Sequence, residues 1–74
     1  MDKERLFKIL DLITYTGITY IDIAASSGIS VNSIYYYRSN HTITNTSKDK
    51  IIKCLETHFP EELAKVNALI EGGI

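Results

Sequence analysis

The chain has 74 residues, a hydrophobic fraction of 45% and a formal net charge of −1 at pH 7. This length limits it to one domain, residues 1–74, with a small core. The only cysteine, Cys54, excludes an internal disulfide, and no apolar run is long enough for a signal peptide or a membrane span. We therefore expect a cytoplasmic protein that contacts no membrane.

A first amphipathic helix is predicted over residues 3–15. Asp2 is suited to cap its start, and Gly17 is suited to the left-handed conformation that ends a helix. The apolar stripe of this helix consists of residues at helical spacing, namely Leu6, Ile9, Leu10 and Ile13. The helix should therefore bury one face against the rest of the chain.

A second, shorter helix is predicted over residues 20–27. Thr19 is its cap, and Asp22 three residues later completes a capping box. Ala24 is small enough to let the next helix cross closely, whereas a larger side chain would push the two helices apart. Gly28 then supplies the positive φ of a tight turn at low steric cost.

A third helix is predicted over residues 31–38, with Ser30 as its cap. Ile34 and Tyr37 are three residues apart and should face inward. The residues expected on or near the outer side are Val31, Asn32, Ser33, Tyr35 and Tyr36. These outer residues are mediocre helix formers, so the helix must depend on tertiary packing and its outer side chains are candidates for another purpose.

Two more helices are predicted after a polar loop in which Asn40 is the best candidate for a left-handed residue. The fourth helix spans residues 47–58 and starts with a capping pair formed by Thr46 and Asp49. Pro60 opens the fifth helix, which ends at Gly72 and Gly73. The expected core positions here are Ile51 or Ile52, Leu55, Phe59, Leu63, Val66 and Ile70. The chain is thus predicted to be all-α.

The last helix carries more apolar residues than one buried stripe needs. Leu69 lies beside the stripe that contains Ile70, and Ile74 adds an exposed apolar end. We therefore expect Leu69 and Ile70 to take part in binding a partner chain, either in a homodimer or in a heterodimer.

Residues 19–40 resemble the helix-turn-helix unit of the λ-repressor and Cro superfamily, the XRE-type regulators of phages and bacteria. The matching features are a threonine cap, an apolar-Ala pair, a Gly-apolar-Ser turn and a buried isoleucine, here Thr19, Ile23, Ala24, Gly28, Ile29, Ser30 and Ile34. The resemblance implies a compact five-helix λ-repressor-like domain with the helix-turn-helix at helices 2 and 3. It extends to the small second regulators of temperate phages, both Cro-type repressors and modulator-of-repression proteins, and implies the cytoplasm of a bacterial host.

Three positions depart from the pattern of this family. Val31 stands where a basic residue or Gln is common, Ser27 where a large aliphatic residue is common, and Arg38 where an acidic or polar residue is common. Val31 removes a phosphate or guanine contact, which argues against strong operator binding by this chain alone.

In a helix-turn-helix complex, the N-terminal part of the third helix enters the major groove and the second helix lies against the backbone. We expect Asn32 to pair with adenine, Ser33 to hydrogen-bond several bases and Val31 to contact a thymine methyl group. The other candidates for contact with DNA, mostly with phosphates, are Tyr20, Ser30, Tyr35, Tyr36, Arg38, Lys48 and Lys50.

The charges are distributed unevenly along the chain. Residues 31–53 have a local charge of +3, from Arg38, Lys48, Lys50 and Lys53 against Asp49. Residues 54–74 have a local charge of −3, from Glu56, Glu61, Glu62 and Glu71 against Lys65. This asymmetry permits DNA binding near the third helix, and it equally permits docking of the acidic tail onto a basic protein.

Two functions remain open at this point. The first is a transcriptional regulator of a phage lysis–lysogeny switch, which binds operator double-stranded DNA through the third helix. The alternative is an interaction protein that binds a phage repressor through Tyr35, Tyr36, Leu69 and Ile70 and alters its DNA binding. The net charge of −1, Val31 and the exposed tyrosines favour this alternative.

No enzymatic function is expected. Cys54 and His58 are four residues apart on one helix, but two ligands do not build a structural zinc site. A Cys–His nucleophile lacks an orienting third group, and the chain is too small to enclose a pocket. We therefore expect no metal, no cofactor and no small-molecule substrate.

Overall fold

A computed structural model describes residues 1–72, which form five α-helices and one 3₁₀ turn and contain no β-strand. The helices are α1 (Lys3–Leu12), α2 (Tyr20–Ser27), α3 (Val31–Asn40), α4 (Asn45–His58) and α5 (Pro60–Gly72). The radius of gyration is 11.2 Å, the value of about 11 Å that a compact domain of this length has. The predicted all-α, five-helix fold is confirmed, while the predicted roles of Gly73 and Ile74 lie outside the described residues.

Helix α1 is shorter than predicted. It is capped as expected, because the Asp2 carboxylate accepts the Arg5 N–H at 2.8 Å. The helix ends at Leu12, and the chain tightens into a 3₁₀ turn over Ile13–Thr16 before Gly17 adopts a φ of 104°. The Thr16 hydroxyl donates to the Ile13 carbonyl at 2.6 Å, and such a local bond competes with the α-helical pattern.

The connection between α2 and α3 follows the local signals in the sequence. The Thr19–Asp22 capping box is present, Gly28 has a φ of 77°, and the Ser30 side chain accepts the Ser33 N–H. Ile23 and Ile34 are fully buried, which fixes the inner faces of both helices. These two helices with their three-residue turn form what we refer to as the α2–α3 unit.

The end of α3 differs from the prediction at two residues. The helix continues to Asn40, and His41 rather than Asn40 takes the left-handed conformation, with a φ of 49°. The Asn40 side-chain amide donates to the Tyr36 carbonyl at 2.9 Å, so Asn40 is held in the last turn. The His41 ring stacks on Phe7 with 5.1 Å between centroids, a contact that helps to hold the unusual backbone in place.

The predicted start of α4 is wrong by two residues. The helix begins at Asn45, and its cap is Thr44, whose hydroxyl accepts the Ser47 N–H at 3.1 Å. Thr46 already lies inside the first turn and cannot cap it. Ile43 is buried, and this anchor makes the next residue, Thr44, the one that leads into the helix.

All five helices contribute to one core. Its fully buried side chains are Leu6, Ile9, Leu10, Ile13, Ile23, Ile34, Ile51, Leu55 and Val66. Helix α5 is tied to α1 by Arg5, whose guanidinium donates to the Asn67 side chain at 2.9 Å and to Glu71 at 3.2 Å. The inner faces of α2 and α3 therefore pack into the core, while the outer side of α3 is exposed to solvent.

Candidate macromolecular interface on helices α2 and α3

Three of the predicted contact residues lie exposed on the outer side of α3. Asn32 is in the first turn and is exposed. Tyr35 and Tyr36 are 49% and 58% exposed, although each ring also contacts a neighbouring tyrosine. The expectation that these two tyrosines are partly exposed is confirmed.

The two serines of the first turn are engaged with each other. The Ser30 hydroxyl donates to the Ser33 hydroxyl at 2.8 Å and accepts the Ser33 N–H at 3.2 Å. Val31 departs from its expected place, because it is half-buried and packs against the core. Of the predicted base contacts, Asn32 therefore offers the most accessible polar group.

The predicted phosphate contact by Tyr20 does not fit the structure. Tyr20 is only 5% exposed, and its hydroxyl donates to the backbone carbonyl of Leu10. Burial raises the pKa of the Tyr20 phenol. Its ring meets the Tyr35 ring edge-to-face with 5.0 Å between centroids, so the first turn of α2 lies beside the middle of α3.

The only cation of the α2–α3 unit is neutralised by α1. Arg38 Nε donates to the Asp11 carboxylate at 2.9 Å, and the guanidinium lies 5.9 Å from the centroid of the Tyr20 ring. The hydrogen bond to Asp11 raises the pKa of Arg38 further. The predicted phosphate contact by Arg38 would have to compete with this ion pair.

The start of α2 carries a negative charge. The Asp22 carboxylate accepts the Thr19 N–H at 2.8 Å and the Thr19 hydroxyl at 3.1 Å. Asp22 and Arg38 are the only charged residues in residues 19–40. The unit therefore has no net charge, and a carboxylate sits where a helix N-terminus would otherwise attract a phosphate.

Two exposed apolar side chains were missed at the sequence level. Ile21 is 68% exposed and Tyr15 is 82% exposed. Ile21 could have been found, because residues two apart on a helix cannot share a face and Ile23 is the better core candidate. We define the aromatic edge as the exposed side chains of Tyr15, Ile21, Tyr35 and Tyr36.

Part of the aromatic edge borders a cleft between the end of α1, the start of α2 and the middle of α3. The side chains that line it are Asp11, Thr14, Tyr15, Thr19, Tyr20, Tyr35 and Arg38. Because Tyr15 and Tyr35 both line this α1–α3 cleft, the two exposed rings border one concave surface.

The predicted basic cluster is divided between different surfaces. Lys50 and Lys53 line a separate cleft beside the C-terminal residues Ser26 and Ser27 of α2. Lys48 is half-buried and is two residues from Lys50, so the two side chains point in nearly opposite directions on α4. Lys50 and Lys53 therefore line a different cleft from the one that Arg38 lines.

The expected association residues on α5 are only partly exposed, and their role in binding a partner chain stays a prediction. Leu69 and Ile70 are both half-buried, and Ile70 packs against the core. Apart from Met1, the large hydrophobic side chains that are exposed in residues 1–72 are those of the aromatic edge. The apolar surface available to a partner therefore lies on and beside the α2–α3 unit.

Cys54 and His58 both line the cleft that contains Lys50 and Lys53, and no hydrogen bond joins the two side chains. Cys54 is buried, its thiol points to the Ile23 carbonyl at 3.8 Å, and burial raises the pKa of the thiol. His58 is exposed. Within residues 1–72, no group of three His, Cys, Asp or Glu side chains is arranged to hold a metal ion.

None of the helices in the described range has the length and apolarity needed to cross a membrane.

No family model matches the chain, and no curated protein or solved structure matches it either. The helix-turn-helix assignment therefore stays a prediction that rests on the pattern in residues 19–40.

Proposed function

We propose that this protein is a small, non-enzymatic regulator of transcription that binds another DNA-binding protein through its aromatic edge. The partner that best fits the sequence resemblance is a temperate-phage repressor, whose operator binding is altered in the complex. The observation that carries this proposal is the exposure of Tyr15, Ile21, Tyr35 and Tyr36 around a unit without net charge.

The chemistry of the aromatic edge favours a protein partner. Tyrosine is enriched at protein interfaces, where its ring provides contact area and its hydroxyl provides a hydrogen bond. Charged residues are depleted from the centres of such interfaces. Tyr35 and Tyr36 combine exposure with ring contacts to Tyr20 and Tyr37 that limit their motion, and a preorganised side chain loses less entropy when it binds.

The same surface is poorly suited to autonomous DNA binding. Most of the affinity of a protein for DNA without sequence preference comes from cations that neutralise phosphates. Arg38 is paired with Asp11, and Asp22 occupies the start of α2, the helix that crosses the DNA backbone in helix-turn-helix complexes. An isolated domain of this kind should bind duplex DNA weakly.

The second candidate function is operator binding through α3. Asn32 is exposed in the first turn, where it can donate to and accept from an adenine edge. Lys50 and Lys53 are also exposed and are free of ion pairs within residues 1–72. In this case a dimer on a two-fold site would be required, because one module makes a small interface.

The two functions are separated by a binding experiment with purified components. The protein is mixed at low salt with a purified helix-turn-helix repressor of a temperate phage, with a random duplex, and with that repressor's operator. We expect a stable complex with the repressor in the absence of DNA and no gel shift of either duplex by the protein alone. A shift of the operator by the protein alone, without a repressor complex, contradicts the proposal and supports the second candidate.

A further inference from the structure

We propose that Asp11 is a specificity-determining residue, which holds Arg38 in an intramolecular ion pair and so prevents nucleic-acid phosphates from binding in the α1–α3 cleft. The inference rests on the proposed function, since it explains why the surface selects protein over DNA. Asp11 lies on α1, so a residue outside the α2–α3 unit would also determine which class of partner the surface binds.

The α1–α3 cleft has the donors that a phosphate group needs. Hydroxyl groups come from Thr14, Tyr15 and Tyr35, and a guanidinium comes from Arg38, whereas the Thr19 hydroxyl is already bonded to Asp22. Hydroxyl and guanidinium groups are the usual partners of phosphate oxygens in protein–DNA complexes. Asp11 lines the same cleft and pairs with Arg38, so its carboxylate occupies the guanidinium and repels other anions.

The Asp11–Arg38 ion pair is suited to control the charge that Arg38 presents in the cleft, and it should contribute little to the free energy of folding. The two side chains are 47% and 42% exposed, and their closest atoms are 2.9 Å apart. An exposed pair of this kind contributes little to folding. Removing the carboxylate should therefore leave the fold intact while releasing the only cation of the α2–α3 unit toward solvent.

The direct test is the affinity of Asp11→Asn for a short random duplex, measured by fluorescence anisotropy between about 50 mM and about 200 mM salt. One newly available phosphate contact should strengthen binding roughly tenfold at the lower salt and steepen the logarithmic salt dependence by about 1. The thermal midpoint should change by less than about 5 °C. Asp11→Ser serves as a second variant if the amide disturbs the fold.

Asp49→Asn is the matched control. Asp49 is exposed on α4 and makes no ion pair within residues 1–72, so this variant changes the net charge equally without releasing Arg38. The double variant Asp11→Asn/Arg38→Gln should return to the affinity of the wild type or below it. The inference is overturned if Asp11→Asn binds no more tightly than Asp49→Asn, or if Arg38→Gln does not reverse the gain.

Binding of the repressor is measured in parallel for the wild type and Asp11→Asn. A gain in duplex affinity without any repressor complex would retain the effect of Asp11 on phosphate binding and reject the proposed partner. A repressor complex without a gain in duplex affinity would retain the proposed function and reject the role of Asp11. The two failures therefore have different signatures.

Discussion

At the residue scale, Tyr20 shows how a tertiary contact overrides a sequence pattern. Its place at the start of a predicted helix suggests contact with a phosphate, but the hydroxyl donates to the Leu10 carbonyl and the ring is buried. That partner lies ten residues upstream in another helix. Helical periodicity reveals which residues share a face, but it does not reveal which distant carbonyl a tyrosine will meet.

Tyr20→Phe should lower the free energy of unfolding by about 1 kcal/mol, the usual net contribution of a hydrogen bond. Urea unfolding followed by circular dichroism measures this loss. Tyr36→Phe, at a residue that is 58% exposed, is the control and should be nearly neutral. Equal effects of the two substitutions would show that the buried Tyr20 hydroxyl contributes no more to the free energy of unfolding than the exposed Tyr36 hydroxyl does.

The pH dependence of stability should also differ in Tyr20→Phe. Burial raises the folded-state pKa of Tyr20 above its ordinary value of 10.0. The unfolded chain therefore loses this proton first, and the contribution of Tyr20 to stability is complete below about pH 10 and is lost as the pH rises toward the folded-state pKa. The difference in unfolding free energy between wild type and Tyr20→Phe should shrink above about pH 10, and a constant difference would contradict the burial argument.

The exposed tyrosines give the prediction most closely tied to partner binding. Tyr36→Ala should weaken the repressor complex at least about tenfold, because tyrosines are frequent energetic centres of interfaces. Its effect on stability should be small, since the side chain is largely outside the core. Lys65→Ala, at an exposed position on α5, is the control in isothermal titration calorimetry, and equal affinities of the two variants would exclude Tyr36 from the interface.

At the element scale, the helices and most of their caps could be predicted because their signals are local. Asp2, Thr19, Gly28 and Ser30 act within three or four residues of the backbone groups that they satisfy. The start of α4 could not be predicted in the same way. Thr44 and Thr46 are equally good caps by residue type, and the burial of Ile43, which depends on the whole fold, selects Thr44.

The α2–α3 turn depends on the backbone of Gly28. Its φ is 77°, and an added Cβ would meet nothing within 4 Å, so Gly28→Ala isolates the conformational penalty of a left-handed residue. We expect a loss of about 1–2 kcal/mol in unfolding free energy. Gly72→Ala, which also has open space but no positive φ, should be neutral or slightly stabilising, and a larger loss there than at Gly28 would contradict this account.

The candidate site was only partly predictable, because some of its contacts join residues that are far apart in sequence. The exposure of Asn32, Tyr35 and Tyr36 follows from helical spacing. The Arg38–Asp11 pair joins residues 27 apart in sequence, and no local pattern announces it. The predicted basic residues are only partly brought together: Lys50 and Lys53 line one cleft, whereas Lys48 and Lys50, two residues apart on α4, point in nearly opposite directions.

At the scale of the whole molecule, a small core must hold five short helices together. Arg5 joins the first helix to the last through Asn67 and Glu71. Arg5→Met keeps an aliphatic stem but removes these bonds, and it should lower the unfolding free energy by about 1–3 kcal/mol. Lys8→Met, at an exposed position on the same helix, is the control, and equal unfolding curves for the two variants would argue against this tie.

The charged side chains are distributed differently over two surfaces of the molecule. The surface of α2 and α3 combines exposed rings with the Arg38–Asp11 ion pair. Lys50 and Lys53, which make no ion pair within residues 1–72, line a different cleft between α2 and α4. A protein partner can use the first surface without facing a repulsive or strongly attractive field. This arrangement and the net charge of −1 fit the proposed regulator, which acts through a protein partner and needs little affinity of its own for DNA.

The most direct measurement is amide chemical-shift mapping of the isotopically labelled protein, titrated separately with a purified temperate-phage repressor and with the operator duplex of that repressor. We predict that the repressor perturbs Tyr15, Ile21, Tyr35 and Tyr36 together, while the duplex causes no saturable change at low salt. Saturable shifts in the first turn of α3 with the duplex alone, or repressor-induced shifts confined to α4 and α5, would contradict the account.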